Sequence, residues 1–207
     1  STAALFGARI VFADVQGDTG NINPQAVEAA ITTRTKAIVA VDYAGHPADL
    51  MELRRIADKY KVFLIEDAAH SLGSTYMNQK IGTIADLTTF SFFPTKNITT
   101  AEGGAIASRN DELLLKAKRF SRQGLIKNSD EFVIRDQGPW HQEVHKFGLN
   151  YRLPDVLCAL GISQLSKIEK FKSKRTEIFE TYNLLLNDYE QITLPAKRDY
   201  VSPMWHL

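Results

Sequence analysis

The chain has 207 residues, enough for one large domain with a substantial buried core. Hydrophobic content of 44% and charged content of 24% are those of an ordinary globular protein, and 25 Lys and Arg against 24 Asp and Glu leave no charge excess to draw it to nucleic acid or an anionic membrane. No apolar run reaches the roughly 18 residues of a membrane span, no signal peptide is visible, and the one cysteine, Cys158, has no partner for an internal disulfide, which points to a reducing, cytoplasmic setting.

In chain order, strands alternate with helices. Arg9 to Asp14 reads as a strand. Asn23 and Pro24 then supply an N-cap and a proline at the first helical position, opening a helix to about Ile31. Lys36 to Asp42 (KAIVAVD) is a continuous apolar run, the mark of a strand buried on both faces. After a turn at Tyr43 to Pro47, the residues Leu50, Leu53, Ile56, Ala57 and Tyr60 recur at helical spacing. Val62 to Glu66 is the next buried strand, and it ends in Asp67. This order predicts parallel β-α-β units with right-handed crossovers, an α/β class of fold.

Between Ser74 and Asp86 the sequence predicts a small hairpin with Asn78 and Gly82 as turn residues. Leu87 to Phe92 and Gly104 to Ser108 are short strands flanking a loop that contains Lys96. Asp111 to Arg122 is an amphipathic helix with Leu113, Leu114, Ala117 and Phe120 on its apolar face. Gln123 to Phe147 has no period and reads as a long loop, of a kind that is usually functional or contacts a partner. From Pro154 to about Asp188 the pattern is helical, in two pieces that break between Ser166 and Lys172. Both ends are abrupt: Ser1 runs straight into an apolar stretch and MWHL stops in mid-pattern, so the sequence reads as part of a longer protein.

Three segments carry chemistry. In IEDAAHSLGS (Ile65 to Ser74), Asp67 lies just past a buried strand, at the edge where open parallel sheets bind ligands; it also fits a residue that caps the following turn. His70 fits a hydrogen-bonded structural histidine as well as a ligand contact. In SFFPTKNITTAEGG (Ser91 to Gly104), a lysine flanked by Phe92, Phe93 and Pro94 would be partly desolvated, which favours a neutral amine able to form a Schiff base with an aldehyde. Ser91, Thr95, Thr99 and Thr100 offer hydroxyls for a phosphate, while the alternative is an ordinary solvated loop lysine. The third segment is GLNYRLPDVLCALGISQL (Gly148 to Leu165), otherwise a loop leading into a core helix.

In this order and at these separations, the three segments resemble the DegT/DnrJ/StrS-type sugar aminotransferases, which are pyridoxal-phosphate enzymes, and the similarity runs from end to end of the chain. The resemblance implies a fold type I PLP-dependent transferase large domain, with a mostly parallel sheet flanked by helices. Residues 1–165 would form most of that cofactor-binding domain, its N-terminal part missing. Residues 166–207 would be a helical connection leading toward a truncated small domain. Lys96 matches the lysine that holds the cofactor and shuttles the proton. Asp67 matches the carboxylate that pairs with the pyridine nitrogen, and His70 falls where the family has Gln or His near the phenolic oxygen. Ser91 matches a phosphate-binding serine. Asn150 matches a phosphate contact from the neighbouring subunit and Arg152 lies in the same inter-subunit segment, implying a homodimer with shared active sites. Phe93 departs from the histidine that relatives often carry three residues before the lysine. The stretch GPWHQEVHKFGLNYR is most like the pseudaminic-acid branch, which aminates a UDP-linked 4-keto-6-deoxy sugar using glutamate. A sister branch of sugar dehydratases has histidine at the lysine's place, so Lys96 favours transamination. The other alternative is a catalytically incompetent segment serving as a folded or oligomerising module.

Overall fold

Asn23 opens the first packed helix. In the computed structural model, which describes residues 2–207, a short helix α1 (Thr2–Leu5) precedes α2 (Pro24–Ala30), and the Asn23 side-chain oxygen accepts from the backbone N–H of Gln25 at 2.9 Å. Two of the four otherwise unpaired donors of the first turn point at that cap, and Pro24 has no N–H to satisfy. Strand β1 (Ala37–Val41), helix α3 (Leu50–Tyr60) and strand β2 (Phe63–Asp67) follow as expected. α3 ends at Lys61 in a left-handed turn. The expected hairpin forms from β3 (Thr75–Tyr76) and β4 (Gln79–Lys80), with Met77, Asn78 and Gly82 all at positive φ.

Strands β5 (Leu87–Ser91) and β6 (Gly104–Ala107) complete a four-stranded sheet of order β1-β2-β5-β6. The first two junctions are parallel and the last is antiparallel, so the sheet is mixed but mostly parallel. Helix α4 (Asp111–Phe120) is capped by Asn110, whose side chain accepts from Leu113 N–H at 3.1 Å. The remaining elements are β7 (Leu125–Ile126), β8 (Glu143–Val144), α5 (Asp155–Leu165), α6 (Ile168–Leu186) and β9 (Val201–Ser202). The break between α5 and α6 falls at Ser166 and Lys167, inside the expected interval.

Three expectations change. Arg9 to Asp14 forms no strand; the segment is open to solvent, with Phe12 92% exposed, and its nearest pairing is the single bridge Val15–Ile22. A strand is held by its neighbour's hydrogen bonds, and no strand of the described residues lies beside this one. β1 and β2 are buried on one face only: α2 and α3 seal Ile38, Ala40 and Leu64, while Val39 and Phe63 on the other face remain about half exposed. The run of apolar residues does predict two buried faces, but no helix of the described residues covers the second. The Gln123 to Phe147 loop is also more ordered than its lack of period suggested. β7 and β8 pair, and between them the Glu143 carboxylate accepts from the N–H groups of Val133 and Ile134, each at 2.8 Å, and from His145 Nε2 at 2.6 Å. Those donors, Val133 N–H foremost, hold the Glu143 carboxyl down at about 2.

Candidate active site

The carboxyl ends of β2 and β5 carry Asp67 and Ser91 and lead into the loops that bear His70 and Lys96. Asp67 is the last residue of β2, opposite Val41 in β1 and Thr89 in β5. Its carboxylate accepts from Ala69 N–H at 3.1 Å, so the cap and the ligand-edge position coexist in one residue. β5 runs two residues further and ends at Ser91, paired with Gly104. A side chain at 104 would bring its Cβ to 2.5 Å from the Phe90 carbonyl oxygen, so only glycine allows the two strands this approach.

The lysine loop between them closes on itself. Phe92 N–H donates to Gly103 O at 2.9 Å, Thr100 N–H to Phe92 O at 3.0 Å, and Lys96 N–H to Phe93 O at 2.9 Å. Thr99 Oγ1 donates to Phe92 O and accepts from Ala101 N–H, while Thr100 is buried and donates to Glu102 O. Those two hydroxyls are therefore committed to loop carbonyls, and of the four expected at a phosphate Ser91 and Thr95 are the two that donate to none. Lys96 is half-buried. The aromatic wall expected around it is incomplete, since Phe93 and Pro94 are themselves exposed.

Two residues that the sequence did not single out hold this site. Asn97, next to Lys96 and buried, donates its side-chain N–H to His70 O at 2.5 Å and to Met204 O at 3.3 Å, tying the lysine loop to the Asp67 loop. His206 lies against His70, with ring centroids 4.3 Å apart. Burial first, then the neighbouring Lys96 charge, lowers the pKa of His70; burial and the His70 and Lys96 charges lower that of His206 to about 4. Both imidazoles therefore face the lysine in their neutral forms near pH 7. Nδ1 of each ring and Oδ1 of Asn97 are buried with no protein partner. His206 is remote from Lys96 in sequence and Asn97, though next to it, takes both of its acceptors from remote segments, so neither left a local signal; the return of the chain at β9 reveals them.

That return is firm. β9 pairs with β3, Met204 N–H donates to Ser74 Oγ at 2.7 Å, and Arg175 on α6 holds the Trp205 carbonyl at 3.0 Å. Asn150 and Arg152 lie elsewhere, exposed and bonded to one another at 2.9 Å, with Asn150 bridged to Arg122 beyond α4. No hydrogen bond or ion pair among the described residues links them to Lys96, Asp67 or His70. An open groove of about 1690 Å³ includes Thr89, Gly103 and Arg152 but none of those three. It marks the uncovered side of the sheet and α4 rather than the lysine site.

A lysine, a carboxylate and a neutral histidine gathered beyond the carboxyl ends of parallel strands define a sheet-edge site suited to a carbonyl ligand with a basic ring. The DegT/DnrJ/EryC1/StrS aminotransferase family model matches residues 1–207, and the chain belongs to that family. It is 38% identical over 210 residues to the UDP-4-amino-4,6-dideoxy-N-acetyl-beta-L-altrosamine transaminase of Campylobacter jejuni, covering 100% of this chain and 53% of that one. Among solved structures it is similar to Helicobacter pylori PseC, an aminotransferase involved in the biosynthesis of pseudoaminic acid. The TM-score is 0.82 and the identity 37%, with 90% of this chain and 48% of PseC covered. It is also similar to the PLP-form of the putative sugar aminotransferase Spr1654 from Streptococcus pneumoniae, at a TM-score of 0.83 and 28% identity, covering 99% of this chain and 55% of that one. The fold is thus that of the PLP-dependent aminotransferases, and the chain spans about half the length of the relatives it matches.

Proposed function

We propose that this chain carries the cofactor-binding core of a pyridoxal-phosphate-dependent aminotransferase that moves an amino group from glutamate to a nucleotide-linked 4-keto-6-deoxy sugar. The UDP-linked sugar of the pseudaminic-acid branch is the substrate class that the Campylobacter and Helicobacter relatives support. The observation that carries the reading is the grouping of half-buried Lys96 with Asp67 and His70 at one sheet edge, a donor set that fits this cofactor. Lys96 supplies an amine to its aldehyde, the Asp67 carboxylate an anion for its ring nitrogen, and Ser91 with neighbouring loop amides donors for its phosphate. Bound there, pyridoxal phosphate supplies a protonated ring that takes up the electron pair freed at the substrate carbon.

The chain's own residues do the rest. With the cofactor held there, the Lys96 amine would be the base that takes the proton from the amino donor's α-carbon and, as the conjugate acid, the group that delivers one to the sugar carbon receiving the amino group. Asp67, its carboxyl oriented by Ala69 N–H, stands at the end of β2, where it would meet the ring nitrogen. His70 stays neutral and can donate a hydrogen bond without adding a second positive charge beside Lys96. Asn150 and Arg152, exposed and unconnected to Lys96 within the chain, suit a contribution to the site of a neighbouring subunit in a homodimer. The absence of any helix among the described residues that is long and apolar enough to cross a membrane accords with action in the cytoplasm. Residues 1–165 then form most of the large domain, and 166–207 lead toward a small domain.

The test uses the full-length protein. Pyridoxal phosphate should give a visible absorption band, and borohydride reduction should fix the cofactor's mass on the peptide containing Lys96. Lys96→Ala should lose both. Retention of the adduct in that variant, or no adduct in the wild type, would sink the reading. A preference for dTDP-linked over UDP-linked 4-keto sugars would remove the pseudaminic-branch assignment and leave the transaminase.

A further inference from the structure

Two carboxylates lie beneath the site and the chemistry above uses neither. Asp42 follows β1 and Glu66 is the penultimate residue of β2, and neither exposes any surface. Ala40 sits opposite Glu66 and Val41 opposite Asp67, so the buried carboxylates belong to the covered side of the sheet and Asp67 to the other. Asp42 accepts from Ser71 Oγ at 2.5 Å and from Ala48 N–H at 2.9 Å. Glu66 Oε2 accepts from Thr88 Oγ1 at 2.6 Å and from Gly82 N–H at 3.3 Å. The remaining oxygen, Glu66 Oε1, is sealed from solvent with no donor of its own, and Asp42, two residues beyond the Ala40 that pairs with Glu66, is its diagonal neighbour on the same face of the sheet.

Other groups do not neutralise the pair. Around it, β1 and its following turn contribute Asp42 and His46, β2 contributes Glu66 and Asp67, the next loop His70 and Ser71, the hairpin only the Gly82 amide, and β5 Thr88. His46 is turned to Asn21 and the Pro47 carbonyl, and burial lowers its pKa. Among the described residues no lysine or arginine makes an ion pair with either carboxylate. Two negative charges in contact and out of water cost far more than one charge and one proton.

We propose that Asp42 and Glu66 share a single proton, held between Glu66 Oε1 and Asp42, and that this acid–carboxylate pair positions the loop carrying Asp67 and His70. Asp42 grips that loop at both ends: its N–H donates to the Asp67 carbonyl at 3.1 Å and its carboxylate holds the Ser71 hydroxyl. Glu66 holds Thr88, next to Thr89, whose carbonyl takes Ala68 N–H at 2.9 Å. Burial raises the pKa of both acids, and the Glu66 charge raises that of Asp42 further. An acid whose folded pKa exceeds its unfolded one binds its proton more tightly in the fold. Stability from this pair is therefore present at low pH and is lost as pH rises through that window. The consequence for the cofactor rests on the reading of Asp67 given above; the proton and the loop do not.

Isotope-edited infrared spectroscopy of the full-length apoprotein at neutral pH should show a protonated-carboxyl band that disappears in both Glu66→Gln and Asp42→Asn. Backbone amide exchange over Ala68 to Ser71 should be slow in the wild type and accelerate at alkaline pH. Glu66→Gln, whose amide donates to Asp42 in the proton's place, should keep that protection to within about threefold and remove the alkaline step, while Glu66→Ala should speed exchange about tenfold or more. No protonated band in the wild type, or equal loss of protection in Glu66→Gln and Glu66→Ala, overturns the proposal. Failure of the wild type to bind pyridoxal phosphate would instead count against the aminotransferase reading, leaving these two measurements to decide the shared proton.

Discussion

His206 and His70 stand beside Lys96 with their Nδ1 atoms out of reach of water, so protonating either ring brings a second cation into a crowded, partly desolvated corner. His206 bears most of that cost, with a pKa of about 4 in the fold against an ordinary 6.5. The sign follows from linkage: the unfolded chain takes up a proton that the folded chain refuses, so this contribution is intact above about pH 6.5 and is lost as pH falls toward about 4. Thermal melts across that interval should show Tm declining with acid, and His206→Gln should decline less steeply. Equal slopes for the two proteins would mean that His206 does not carry this penalty.

Secondary elements here are fixed mainly by their ends. α2 has seven residues, too few to persist alone, and is held by the Asn23 cap, the proline after it and the burial of Val27 against the sheet. Asn23→Ala should lower unfolding free energy by about 1 kcal/mol in urea denaturation, with Asn23→Ser recovering most of it. An unchanged midpoint would show that packing alone holds α2. The lysine loop obeys the same logic. Its hydroxyls close the turn on the Phe92 and Glu102 carbonyls, which is why Thr99 and Thr100, hydroxyl residues like Ser91, are not equivalent to it in role.

At the scale of the molecule, the decisive contact is the docking of Val201 to His206 against the loops after β1 and β2. Gly45 makes it possible: at φ +92 it lies so close to the Met204 carbonyl that any Cβ would overlap it, and His206 N–H donates to the adjacent Ala44 carbonyl at 2.9 Å. Backbone strain alone makes Gly45→Ala about 1–3 kcal/mol destabilising, and the overlap adds to it by displacing the segment. Trp205 reports the event, being 5% exposed and stacked on Phe179 at 3.6 Å. With the exposed Trp140 replaced by Phe, the emission of Trp205 should shift to the red in Gly45→Ala; an unshifted spectrum would show that the segment stays docked.

The sequence by itself determined the local half of this protein. Caps, turn residues and the spacing of Leu50, Leu53 and Ile56 locate α2, α3, the hairpin and the paired helices α5 and α6, because these depend on neighbours a few residues away. Lys96, Asp67, His70 and Ser91 were legible as candidates because strand ends are, and a parallel sheet brings strand ends together. Whether Arg9 to Asp14 finds a partner, and whether Val39 and Phe63 are covered, depends on elements remote in the chain, and only the tertiary structure decided them. It alone brought His206 to the lysine site, tied Asn97 to the His70 and Met204 carbonyls and set Asp42 beside Glu66. Burial and long-range hydrogen bonds are properties of the assembled fold, and no window of sequence contains them.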